Sequence, residues 1–124
     1  MKRKILVVDD NPSILEAVEL ILSSEGYDVK TLLQGDQTYE TVIKYKPHLL
    51  ILDLLLSGKN GQEITKELKA SPKTKDIPVV IISAHPEAKK SAENAGAEGF
   101  LEKPFDVADL LDTVTSFLKN VLQK

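Results

Sequence analysis

Three uninterrupted aliphatic runs, Ile5–Val8, Leu49–Leu52 and Val79–Ile82, constrain this chain more than any other feature. Each is four residues long, rich in branched side chains, and shows no polar alternation. Runs of this kind are strands covered on both faces, the situation inside a parallel sheet. Two further segments fit sheet edges. Tyr27–Leu33 alternates, with Val29, Thr31 and Leu33 against Asp28 and Lys30, and Gly99–Glu102 is short. Helical patterns lie between them. Ile14, Ala17, Val18, Ile21 and Leu22 share one face of a helix that Pro12 opens and Gly26 stops. Weaker helices are expected over Gln37–Tyr45, Gln62–Ala70 and Glu87–Ala95, ended by Pro47, Pro72 and Gly96. The last is the clearest. Val107, Leu110, Leu111, Val114, Phe117, Leu118, Val121 and Leu122 form a broad stripe, with Asp106 as its N-cap.

The order is βαβαβαβαβα, which predicts an α/β fold: a five-stranded parallel sheet with helices on both faces, a three-layer sandwich. Right-handed crossovers leave few topologies. The flavodoxin-like (βα)5 arrangement, strand order 2-1-3-4-5, fits best. The 124 residues read as one domain, 1–124, with no linker, repeat or output domain in this chain.

Composition excludes several classes. A net charge of −3 leaves no basic footprint for direct nucleic-acid binding. Without cysteine, thiolate metal sites and cysteine nucleophiles are ruled out. The basic start, Met1 to Lys4, precedes an apolar run that Asp9 and Asp10 interrupt too early for a secretory signal, and no run is long enough to insert in a membrane. A cytoplasmic protein is the expectation.

Sites in doubly wound sheets form beyond the carboxyl ends of the strands. Asp9 and Asp10 follow the first strand, Asp53 the third, Ser83 the fourth, and Lys103 with Pro104 the fifth. Singly, each has an ordinary explanation: a helix cap, a solvated acid, a surface lysine. Together, four strand ends deliver three carboxylates, a hydroxyl and an ammonium to one edge. Carboxylates so close repel, and a hard divalent cation with oxygen ligands relieves the repulsion. Mg²⁺ suits such a site, with Mn²⁺ as a possible substitute. A carboxylate nucleophile, a cation and a lysine are the parts that phosphoryl transfer needs.

Val7-Val8-Asp9-Asp10, Leu52-Asp53-Leu54, Ile82-Ser83-Ala84, Gly96-Ala97 and Lys103-Pro104-Phe105 resemble the receiver domain of two-component response regulators. The resemblance covers nearly the whole chain. It implies that Asp53 is the phosphoacceptor, and that Asp10 and Asp53 bind Mg²⁺ directly while Asp9 holds it through water. It also makes the backbone carbonyl of Leu55 a ligand. Ser83 and Lys103 would meet the phosphoryl group, Phe100 would be the switch aromatic, and the Lys103-Pro104 bond would be cis. The implied partners are a histidine kinase or histidine phosphotransfer protein and a downstream protein target. The output surface would be helix 4, strand 5 and helix 5, on a monomer or weak phosphorylation-dependent dimer. Such a domain modifies itself and is not a turnover enzyme. One departure stands out: Leu56-Ser57-Gly58 replaces the Met-Pro the family often carries there, which predicts a looser loop, although Gly61 matches.

Two readings from other classes stay in view. A phosphatase that uses an aspartyl-phosphate usually carries Asp-x-Asp, whereas Asp53 is followed by Leu54 and Leu55. A flavodoxin-like ligand-binding module would want a phosphate-cradling loop after strand 1, where Asp9 and Asp10 stand. His48 reads as structural, and His85 lies two residues past Ser83, near the site.

Overall fold

The computed structural model describes residues 2–56 and 59–122, with side chains described as far as Leu118. Five strands alternate with five helices: β1 Lys4–Val8, α1 Pro12–Ser24, β2 Asp28–Leu32, α2 Thr38–Tyr45, β3 Leu49–Asp53, α3 Gly61–Ala70, β4 Val79–Ser83, α4 Ala88–Ala95, β5 Gly99–Glu102 and α5 Val107–Leu122. The strands form one parallel sheet in the order β2-β1-β3-β4-β5, as the alternation predicts.

The aliphatic runs are continuous because each serves two cores. Ile5, Val7, Leu49, Ile51, Val80 and Ile82 face α1 and α5, where Leu15, Val18, Leu22, Leu110, Val114 and Leu118 complete the packing. Leu6, Val8, Leu50, Leu52, Val79 and Ile81 face the other way, toward Val42, Ile64, Leu68 and Ala92. Successive strand residues point to opposite faces, so both cores need every position apolar.

Boundaries differ from the sequence reading in a few places. β2 stops at Leu32 and starts at Asp28 because its partner β1 offers only Lys4–Val8 for pairing. β3 and β4 each gain one polar residue: Asp53 pairs with Ile82, and Ser83 with Glu102. α3 begins at Gly61, one residue early, because Asn60 and Glu63 form a reciprocal capping box. α2 begins at Thr38 and α4 at Ala88, one residue late in each case, since Gln37 and Glu87 sit at the cap without a side-chain cap bond. Asp106 caps α5 as expected, accepting from the Asp109 N–H at 2.8 Å. Gly26 and Gly96 follow α1 and α4 with φ of 93° and 100°, the left-handed geometry that stops a helix. Ser57 and Gly58, and the side chains of Val121 and Leu122, lie outside the described residues.

At the amino-terminal edge of the sheet, Lys69 of α3 binds the carbonyls of Lys75 and Ile77 at 3.0 and 2.8 Å. Its third bond, 2.7 Å, goes to Glu98 in the turn before β5, and the other Glu98 oxygen accepts from the Val79 N–H at 2.8 Å. His48 is structural: its Nδ1 accepts from the Lys4 N–H at 3.0 Å.

Candidate phosphoacceptor site

The five sequence-selected side chains do come from four strand ends on one edge, for a simple reason. Parallel strands in register end together, so the residue closing each strand meets its neighbours. Asp9, Asp10 and Asp53 each place a carboxylate oxygen within 4.8 Å of the others.

Their surroundings differ. Asp9 is fully buried. Its Oδ1 accepts from the Asn11 N–H at 2.9 Å, and its Oδ2 from Lys103 Nζ at 3.1 Å. Asn11 in turn caps α1, accepting from the Ser13 and Ile14 N–H groups at 2.9 and 3.3 Å. One short segment therefore supplies both a helix start and an oriented carboxylate. Asp10 is exposed at the mouth. Asp53 is 6% exposed, with Lys103 Nζ 3.6 Å from its Oδ2. Burial raises the Asp53 carboxyl first, the Asp9 charge adds to it, and Lys103 only partly opposes them; the result is a pKa lifted from 3.8 to about 6.

Lys103 reaches the site from the segment after β5. Its N–H donates to the Ser83 carbonyl at 2.8 Å, and the bond to Pro104 is cis. Ser83 is buried, and its Oγ accepts from the His85 N–H at 3.1 Å, which leaves the hydroxyl hydrogen to donate elsewhere. Phe100 is half-buried against the β4 side of the second core. Leu55 stands on the loop after β3 with a 61% exposed side chain, and His85 is exposed beside Glu87.

The acceptor strand leads straight into α3. The Leu54 N–H donates to the Ile82 carbonyl at 3.0 Å, and the Gly61 N–H to the Leu54 carbonyl at 2.8 Å. Gly61 permits this approach: a Cβ there would lie 2.5 Å from the Asp53 carbonyl oxygen and 2.9 Å from Leu54 Cα. Sequence reasoning noticed Gly61 but not the contacts that require it, nor the Asn60 and Glu63 capping box, whose spacing was readable.

The chain as a whole has counterparts among known proteins. Residues 5–115 match the family model for the response regulator receiver domain. The chain is 32% identical over 118 residues to the DNA-binding dual master transcriptional regulator RpaA of Synechocystis, covering 94% of this chain and 49% of that protein. It is 32% identical over 121 residues to the DNA-binding response regulator MtrA of Mycolicibacterium smegmatis, covering 96% of this chain and 52% of that protein. The chain thus spans about half the length of these relatives. Among solved structures, chemotaxis response regulator CheY4 of Vibrio cholerae superposes with a TM-score of 0.89 at 30% identity, covering 95% of this chain and 100% of that one. The receiver domain of sensor histidine kinase PA1611 from Pseudomonas aeruginosa, which has a magnesium ion coordinated in its active site cleft, gives 0.88 at 25% identity, covering 96% and 99%. By its sequence, its strand order and its family match, this chain belongs to the response regulator receiver domains, the family of two-component signalling modules whose general role is that of phosphoacceptor.

Proposed function

We propose that Asp53 accepts a phosphoryl group from a histidine kinase or histidine phosphotransfer protein, and that the domain then acts on a downstream protein. The observation that carries this reading is the placement of the buried Asp53 carboxyl 3.6 Å from Lys103 Nζ and within 4.8 Å of the Asp9 and Asp10 carboxylates. An Asp53 oxygen attacks phosphorus and forms an acyl phosphate; the nitrogen–phosphorus bond of the donor breaks, and the leaving imidazole takes up a proton. Lys103 pairs with the incoming oxygens, and the Ser83 hydroxyl donates to one of them.

The donor set fits a hard divalent cation. Its carboxylate oxygens lie close enough to surround one ion after small side-chain rotations, and Asp53 is held above its ordinary pKa partly by Asp9. Asp10 and Asp53 would hold Mg²⁺ or Mn²⁺ directly, Asp9 through water, with the Leu55 carbonyl as the backbone ligand. When bound, the ion balances charge on the transferred oxygens. The reaction is self-modification followed by loss of the phosphate, without turnover of a free substrate. With a kinase as source, the chain works where ATP is available, in the cytoplasm. Among the described residues, no helix is long and apolar enough to cross a membrane.

The test is labelling with a small phosphodonor and Mg²⁺, read by intact mass and peptide analysis. One phosphoryl group per chain, located on Asp53 and lost in chelator, is expected. Label that persists in Asp53→Asn overturns the assignment.

A further inference from the structure

The loop from β3 to α3 carries Leu55, and the strand end and helix start account for only part of its support. Leu54 is tied to β4 and to Gly61, as described above. Among the described residues, further support comes from the turn after β2, a segment outside the acceptor motif. Gly35 is buried in that turn. A Cβ on Gly35 would overlap the Lys59 carbonyl oxygen, lie 2.7 Å from Ile64 Cδ1 and stand 3.3 Å from Leu56 Cδ1. The next residue, Asp36, accepts from the Lys59 N–H at 3.2 Å through Oδ1. Lys59 is held a second time by its ammonium, 2.6 Å from Glu67 of α3. The bare face of Gly35 therefore seats Leu56 on one side and Lys59 on the other.

Leu56 is 9% exposed and packs in the second core, whereas Leu55 beside it is 61% exposed. The Leu55 carbonyl and the Leu56 nitrogen share one rigid peptide plane. With Leu54 tied on one side and Leu56 seated on the other, that plane is held at both ends, which narrows the directions the Leu55 carbonyl can take. We infer that Gly35 and Asp36 are positioning residues: the turn between β2 and α2 braces the acceptor loop so that the Leu55 carbonyl faces the carboxylate cluster, and so sets affinity for the divalent cation. This rests on the reading of the site given under Proposed function.

The experiment is a Mg²⁺ titration of the full chain, followed by amide shifts at Asp10 and Asp53, with thermal melting in chelator alongside. Gly35→Ala is expected to weaken Mg²⁺ binding by roughly tenfold or more, as loss of a support behind a metal ligand does. Asp36→Ala is expected to weaken it about fivefold, the worth of one net hydrogen bond. Asp36→Asn keeps an oxygen acceptor and is expected to stay within about twofold of wild type. A merely structural turn would lower the melting temperature and leave the Mg²⁺ affinity in place. Unchanged affinity in folded Gly35→Ala and in Asp36→Ala overturns the brace; if Gly35→Ala does not fold, the Asp36→Ala and Asp36→Asn pair decides. A wild-type chain with no saturable Mg²⁺ response overturns the site reading and this inference together. A normal wild-type response that survives in the variants overturns the brace alone.

Discussion

Replacing Asp53 with asparagine should make the metal-free protein more stable at neutral pH. The carboxyl is nearly buried, and its pKa rises from 3.8 to about 6 because burial and the Asp9 charge both oppose ionisation. The folded state therefore holds this proton more tightly than the unfolded chain does. In the linkage relation, the folded state binds more protons, so stability falls as pH rises. The penalty is absent below about pH 3.8, grows through the interval, and is complete once pH passes about 6. At about 1.4 kcal/mol per pKa unit, the full penalty is on the order of 2–3 kcal/mol. Lys103 is already included, since its attraction opposes the rise. Asparagine preserves the shape and removes the charge. In chelator at pH 7.5 the variant should melt roughly 10 °C higher, given about 4 °C per kcal/mol for a domain of this size. At pH 4 the difference should shrink to less than about 1 kcal/mol. Saturating Mg²⁺ should also narrow it, because a ligand of the folded state stabilises the wild type by mass action. Calorimetry or circular dichroism melts suffice. Equal melting temperatures at pH 7.5, or a gain as large at pH 4, would refute the reasoning.

Three further outcomes are expected. Gly61→Ala should cost about 2 kcal/mol or more, because its Cβ would press on the Asp53 carbonyl at 2.5 Å; denaturant melts check this, and a change within 0.5 kcal/mol, the usual range for a surface substitution, would contradict the contact. A phosphoryl mimic with Mg²⁺ should shift amides across Lys89–Phe105, as Ser83 is drawn to the ligand and Phe100 turns inward; shifts confined to Asp9, Asp10 and Asp53 would count against the switch. Leu55→Asn and His85→Ala, alone and together, should change the rate at which phosphate is lost from Asp53 more than the rate at which it is gained. Both side chains are exposed beside the site, and identical loss rates in all three variants would show that neither gates the water.

The fold was legible because both cores demand apolar strands, so Ile5–Val8, Leu49–Leu52 and Val79–Ile82 declared themselves without alternation. The site was legible because in-register parallel strands end side by side, which converts residues far apart in the chain into neighbours. What escaped was support that depends on tertiary approach. Nothing local to Gly35 announces Lys59, and nothing in Lys69 points to Glu98, a partner 29 residues away. The Ser83 side-chain acceptor role toward His85 needed the loop geometry after β4. Asn60 and Glu63 were different: their spacing carries a capping signature in plain view.

The Lys69 junction has a mechanical consequence. It grips the turn before β5 and the start of β4 at the edge of the sheet remote from Asp53, using all three ammonium donors. The end of α4 is seated there too, since the Lys69 stem lies against Gly96. The opposite end of α4 begins in an exposed turn around His85 and Glu87, with no side-chain cap. Ala88 and Ala95 are equally buried, so the two ends of α4 differ in what surrounds them: the Lys69 junction at one, an uncapped exposed turn at the other. A pull on Ser83 would swing it like a door about the Lys69 hinge, with displacement greatest beside the acceptor and smallest at Glu98. Amide hydrogen exchange should grade along α4 in the same sense, fastest near Ala88 and slowest near Ala95.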